Sequence, residues 1–172
     1  TISGDVRLWG VQKPLVTSGT ALVLTRLSVL APASYTVTGD IAILSWMTIE
    51  GSLTLSPTQA VLSPTNLWVL GTLTSAARLD MGIGGWLYVA LPGTLLLGTA
   101  AHRIGGNLEV IGSMTMTGSL LLDGAATIIG VIRSASPVPT LTINRPNTQN
   151  TIIQGDLTIN GDLTLLSGQF AS

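Results

Sequence analysis

The chain has 172 residues, of which 46% are hydrophobic and only 9% charged, and its formal net charge is −1. That length fits one domain able to bury a core, and the near balance of seven basic and eight acidic residues leaves no electrostatic footprint for nucleic acid or an anionic membrane. No cysteine is present, which excludes disulfides and thiolate metal sites, and a mean hydropathy of +0.58 implies that much of the surface meets other protein.

The sequence opens at Thr1 with neither a methionine nor a charged-then-apolar leader, which reads as a processed chain or a piece of a longer one. A first hexad, GDVRLW at 4–9, is followed by another that fails at Pro14, a residue unable to donate to a ladder. The beat resumes as GTALVL, TRLSVL and APASYT, with Gly19, Thr25 and Ala31 in the corner place. It continues from 39 to 56 as GDIAIL, SWMTIE and GSLTLS, where Ile41, Ile43, Met47, Ile49, Leu53 and Leu55 share one face with Gly39, Ser45 and Gly51.

Residues 57–65, with two Ser-Pro-Thr units, interrupt the pattern as turns or a loop, and a strand returns over 66–74. Residues 81–101 then carry no charge over 21 positions, long enough for a membrane-spanning helix. Gly82, Gly84, Gly85, Gly93, Gly98 and Pro92 are each costly inside a helix, and short alternating bursts such as 86–89 favour buried strands instead.

The clearest stretch is 106–133, GNLEVI GSMTMT GSLLLD GAATII GVIR. Because six is even, every even position falls on one side: Gly106, Leu108, Val110, Gly112, Met114, Met116, Gly118, Leu120, Leu122, Gly124 and onward, all apolar or glycine. At roughly 3.3 Å per residue a straight strand of that length would reach about 90 Å, against about 20 Å for ordinary strands. The chain must therefore bend at the beat, and glycine on the inward face has no Cβ to crowd a corner. A second departure at 134–150 contains Pro137, Pro139 and Pro146 around a short strand at 140–144, after which GDLTIN GDLTLL closes the beat with Leu157, Ile159, Leu163 and Leu165 in the inward row.

These features predict an all-β protein, a β-solenoid or β-helix on a six-residue repeat. It forms one repetitive domain over 1–172, with loop inserts near 57–65 and 134–150. The competing arrangement is an antiparallel meander turning at Asp123-Gly124 and Asn160-Gly161. It would need the same turn chemistry at Ile111-Gly112 and Ile129-Gly130, where that chemistry is absent.

Catalytic signals are weak. The single histidine, His102, stands beside Arg103 in a loop-like text and reads as a solvated surface residue, and no G-x-S-x-G elbow occurs. The acids are scattered singly. Asp5, Asp40, Asp156 and Asp162 follow corner glycines and read as turn residues bonding nearby backbone N–H groups, in preference to a glycosidase pair or a calcium site. The text at 82–85 lacks the lysine and the following helix of a phosphate loop and reads as a bend. Of four tryptophans, Trp9, Trp46, Trp68 and Trp86, Trp46 lies opposite the inward row and is the best candidate for a sugar-stacking platform, against the plainer reading of an interface or a second packing layer. No catalytic, cofactor-binding or metal-binding residue is assigned.

The texts GDLTINGDLTLLSG, GSMTMTGSLLLDGAATIIG and PTLTINRPNTQNTIIQGDLTING resemble the repetitive β-structured shafts of bacteriophage tail fibres and virion spikes, and the β-solenoid stretches of bacterial surface adhesins. The resemblance implies a non-catalytic, extracellular structural protein without cofactors. Such a protein self-associates, as a trimer (sometimes intertwined) or a filament, contacts neighbouring virion or surface proteins, and engages a cell-surface glycan. A carbohydrate-active, tailspike-like enzyme and a membrane-embedded protein are the readings from other classes.

Overall fold

The computed structural model of the chain describes residues 4–10, 15–16, 22–55, 61–82, 84–124, 130–134, 136–145, 150–154 and 157–171. Among them every regular element is a strand, most are two to five residues long, and the ladders are parallel throughout, giving an all-β solenoid of about 6 turns. The antiparallel meander is thereby excluded. Strands this short follow from the beat itself, since a hexad leaves about four extended residues between corners.

Three sheets make the walls. A nine-stranded first sheet orders Asp5–Leu8, Leu22–Val29, Ile41–Ile49, Asn66–Val69, Trp86–Val89, Asn107–Val110, Gly130–Ser134, Asn150–Ile153 and Gln169–Ala171. The second sheet runs from Val61–Leu62 through Arg78–Met81, His102–Ile104, Ser119–Asp123 and Thr140–Asn144 to Leu163–Ser167. The third contains Leu15–Val16, Ser34–Thr38, Ser52–Leu55, Thr72–Ser75, Thr94–Leu97 and Ser113–Thr115. Register gives the length of one circuit: Trp46 lies beside Asn66 and Asn66 beside Trp86, twenty residues at each step, so three hexads and their corners close one rung.

The inward rows read from the sequence form the core. Ile41, Ile43, Met47, Ile49, Leu53, Leu108, Val110, Met114, Leu120 and Leu122 are all buried in one apolar cluster. A register shift between Leu24 and Arg26 moves the buried parity from Leu24 to Leu27, which is how the beat absorbs an odd spacing early in the chain.

Corner glycines are dictated by the stacking. A Cβ on Gly106 would collide with the carbonyl oxygen of Gly85 one rung below, one on Gly118 with that of Ala100, and one on Gly71 with that of Gly51. With rungs about 4.8 Å apart, a side-chain atom aimed along the coil axis at these corners has nowhere to go.

Both regions expected to leave the coil contribute rung strands. Val61–Leu62 pairs with Arg78 and Leu79, and Thr140–Asn144 pairs with Ser119–Asp123 on one side and Leu163–Ser167 on the other. Residues 56–60, 135 and 146–149 lie outside the described set. The uncharged stretch 81–101 carries Trp86–Val89 and Thr94–Leu97 as strands, and among the described residues no helix is long and apolar enough to cross a membrane.

Candidate functional site

The three outer walls differ in chemistry. On the third sheet the outward positions form two columns, Ser34, Ser52, Thr72, Thr94 and Ser113 beside Thr36, Thr54, Thr74, Leu96 and Thr115, an uncharged surface of hydroxyls broken by Leu96. The second sheet carries a cluster of close ion pairs. Arg103 reaches Asp80 at 3.2 Å and Asp123 at 3.1 Å, while Arg78 reaches Asp80 at 2.9 Å. These two carboxylates hold Arg103 as a guanidinium of raised pKa, the hydrogen bond that it donates to Asp80 being the larger cause. Asp80 and Asp123 are thus cross-rung partners of an arginine. Asp5 sits near Arg26 at 3.9 Å with both side chains largely exposed, a weak pairing. Asp40 and Asp162 lend their backbone carbonyls to Leu22 and Leu141 of neighbouring strands, and Asp156 lies outside the described residues.

The first sheet is aromatic and amide-rich. Ladder register stacks Arg26, Trp46, Asn66, Trp86 and Asn107 in one outward column and Ser28, Thr48, Trp68, Tyr88 and Glu109 in the next. Trp46 packs edge-on against Trp68 at 5.3 Å between centroids, and Trp68 against Tyr88 at 6.0 Å. Both separations lie in the favourable range for aromatic pairs. Trp46 is half-buried against Trp68, which fits the second packing layer that was its plainer reading more than an open platform. The indole N–H of Trp68 is buried and meets no acceptor among the described residues.

Trp86 is different. The residue is 41% exposed and borders a hollow of about 220 Å³ lined, among the described residues, by Trp86, Asn107, Glu109 and Gln154. Sequence reasoning named Trp86 only among four tryptophans and overlooked its neighbours. The signal was available: outward parity places Trp86 and Asn107 at the same point of successive circuits, once a circuit is known to take about twenty residues.

His102 is the clearest correction. It is fully buried, and its Nδ1 accepts a hydrogen bond from the Leu79 N–H at 3.2 Å. Nε2 lies 3.3 Å from the Gly98 carbonyl oxygen, so the ring is the neutral tautomer with its proton on Nε2. Burial pushes the imidazole pKa below its ordinary value, and Arg78 adds to that, against the opposing hydrogen bond to Gly98. The residue reads as surface only if its parity is ignored, since His102, Ile104, Gly106 and Leu108 continue the inward even row. Among the described residues it has no carboxylate or nucleophile partner, and its role is to tie backbone groups inside the core.

Arg145 is also fully buried, following Leu141 and Ile143 in the inward row of its rung. Its Nη2 donates to the Gly106 carbonyl oxygen at 2.7 Å, while Nε and Nη1 find no partner among the described residues. Burial lowers its pKa from the usual arginine value. Gly124 leaves room for it, because a Cβ there would stand 2.7 Å from Nη1.

The text at 82–85 is a bend: the Gly85 N–H donates to the Gly82 carbonyl at 3.2 Å, and a strand follows where a phosphate loop would need a helix. Among the described residues no cluster of His, Asp and Glu has metal-holding geometry. Comparison with protein-family models, curated proteins and solved structures finds no match to the chain.

Proposed function

We propose that this chain is a non-catalytic structural segment of an extracellular assembly, a fibre, filament or spike that self-associates and mediates attachment. A virion tail fibre or spike is the first form and a bacterial surface adhesin the second. The observation that carries the reading is an inward row left uncovered. Leu141 and Ile143 are 0% exposed, yet their register partners Leu163 and Leu165, one rung on, are 51% and 47% exposed, and neighbouring Leu166 is 65% exposed.

Leucines in the core parity of a parallel coil, on a strand whose far edge has no partner among the described residues, match another rung of the same repeat. A further rung of the same polypeptide or the first rung of a second copy would supply one, and the 4–9 text GDVRLW has the same glycine-led alternation as GDLTLL at 161–166. The low charge content fits lateral contacts as well, where Leu44 on the first sheet and Leu91 in the turn before Thr94 stand 61% and 72% exposed.

Native mass spectrometry together with electron microscopy of the purified chain tests this. A closed trimer or a filament is expected, with a Leu163→Lys/Leu165→Lys double variant shifted toward monomer. A monodisperse monomer at concentrations up to about 100 µM, far weaker than the micromolar affinities of ordinary specific complexes, would overturn it.

A further inference from the structure

We infer that the outward face of the third sheet binds ice, its two columns of hydroxyls holding the first layer of the crystal's water. The inference goes beyond the attachment reading and needs only that this wall face water.

The columns running from Ser34 to Ser113 and from Thr36 to Thr115 form a regular array. Every side chain in them except Leu96 carries a hydroxyl. The ladder joins these five rungs without a register shift, whereas the first sheet slips between Leu24 and Arg26 and the second between Ile143 and Asn144. Each column therefore repeats at about 4.8 Å from rung to rung, and the two columns stand about 6.7 Å apart, two residues along a strand. Both spacings, taken from ordinary sheet dimensions, lie within about a tenth of the oxygen repeats along the two axes of the prism face of hexagonal ice. The face is open to such a surface: Thr36, Thr54, Ser113 and Thr115 are exposed and the remaining hydroxyl residues half-buried.

Chemistry selects the same occupant. A hydroxyl both donates and accepts, as a lattice water does. Threonine adds a methyl group on a side chain that is stiff at its first torsion, so water between the rows is confined as well as bonded. Neither column holds a charge, and Asp40 and Glu50, the acids nearest in sequence, fall between strands. A charged mineral or a polyelectrolyte thus finds no counter-charge in the array, and a crystalline polysaccharide finds no aromatic side chain in either column to lie on. A second copy of this chain would bury little aliphatic surface here, since Leu96 is the single aliphatic side chain of the ten and is 37% exposed.

The test is partition of the purified chain, beside a co-dissolved control protein, into slowly grown ice, with single crystals watched in a nanolitre osmometer. Expected are enrichment in the ice fraction over the control and faceted crystals whose growth halts over a gap between melting and freezing. Thr54→Lys, which sets a long charged stem into the array, should lower the enrichment at least about tenfold, and Leu96→Thr, which completes the column, should raise it. Thr142→Lys, at an outward position of the second sheet, should leave it unchanged. Circular dichroism checks that each variant is folded, and Thr36→Lys, at another exposed rung, replaces Thr54→Lys if that variant does not fold. No enrichment over the control, full enrichment with the lysine in the array, or an equal loss in Thr142→Lys would each overturn the inference. Dissociation of an oligomer by Thr54→Lys would overturn it too, by making this wall an interface between copies. Native mass spectrometry of the same samples separates the two readings: assembly without ice binding removes only the ice face, and ice binding by a monomer removes only the self-association.

Discussion

Adding one methyl group at Gly106 tests the corner geometry directly. The new Cβ would press on the Gly85 carbonyl oxygen and stand 2.7 and 2.8 Å from the Gly85 nitrogen and carbonyl carbon, all backbone atoms fixed by the ladder. Overpacking a rigid site costs about 1–3 kcal/mol, and with no flexible side chain to yield, the upper end applies. For a chain of this size about 3 kcal/mol corresponds to a fall in Tm of roughly 6–12 °C. Gly82 supplies the matched control, since a Cβ there meets nothing within 4 Å. Gly82→Ala should be neutral or gain about 0.4–1 kcal/mol through the unfolded chain. Thermal unfolding followed by far-ultraviolet circular dichroism reads both. Equal, small shifts in the two variants would refute the argument that rung stacking, and not local backbone preference, selects glycine at the corners.

Acid should weaken the fold through His102. Its folded pKa is lowered chiefly by burial, so the unfolded chain takes the proton more readily. Stability is then full above about pH 6.5 and is lost as pH falls below that toward the folded pKa, with a limiting slope of about 1.4 kcal/mol per pH unit. Urea midpoints at about pH 7.5 and about pH 5.5 measure it, and a His102→Gln variant that keeps the full slope would contradict it. Arg145→Met should leave stability unchanged or raise it by up to about 4 kcal/mol, because a buried guanidinium whose Nε and Nη1 have no partner among the described residues is replaced by an apolar side chain of similar length. A loss above about 1 kcal/mol in denaturant unfolding would mean that the arginine is needed where it lies.

Where the outline was legible, parity made it so. Leu108, Val110, Met114, Met116, Leu120 and Leu122 were placed inward by alternation alone, and all are buried. The parallel coil followed from corner glycines that no hairpin chemistry explained. What stayed hidden depends on the length of a circuit. The hexad says nothing of which residues meet one rung later, so the Asp80–Arg103–Asp123 bridge and the Trp46–Trp68–Tyr88 packing could not be read until register was known. His102 and Arg145 were missed for another reason. Both residue types are usually solvated or paired, and here polarity argued against the parity that in fact placed them. In the 134–150 region the strand expected at Thr140–Asn144 is present and stays in the ladder beside Pro137 and Pro139.

The central claim is a parallel coil in which each circuit of about twenty residues climbs one rung. The chain has no cysteine, so nitroxide labels can be placed at will on the outward column Arg7, Ser28, Thr48, Trp68, Tyr88, Glu109. With a fixed label at Glu109 and a second at Thr48, Ser28 or Arg7, three to five rungs away by register, pulsed electron spin resonance should give backbone separations of about 14, 19 and 24 Å, rising by about 4.8 Å per circuit. Separations that do not grow in equal steps, or that shorten as the chain lengthens, would contradict the coil.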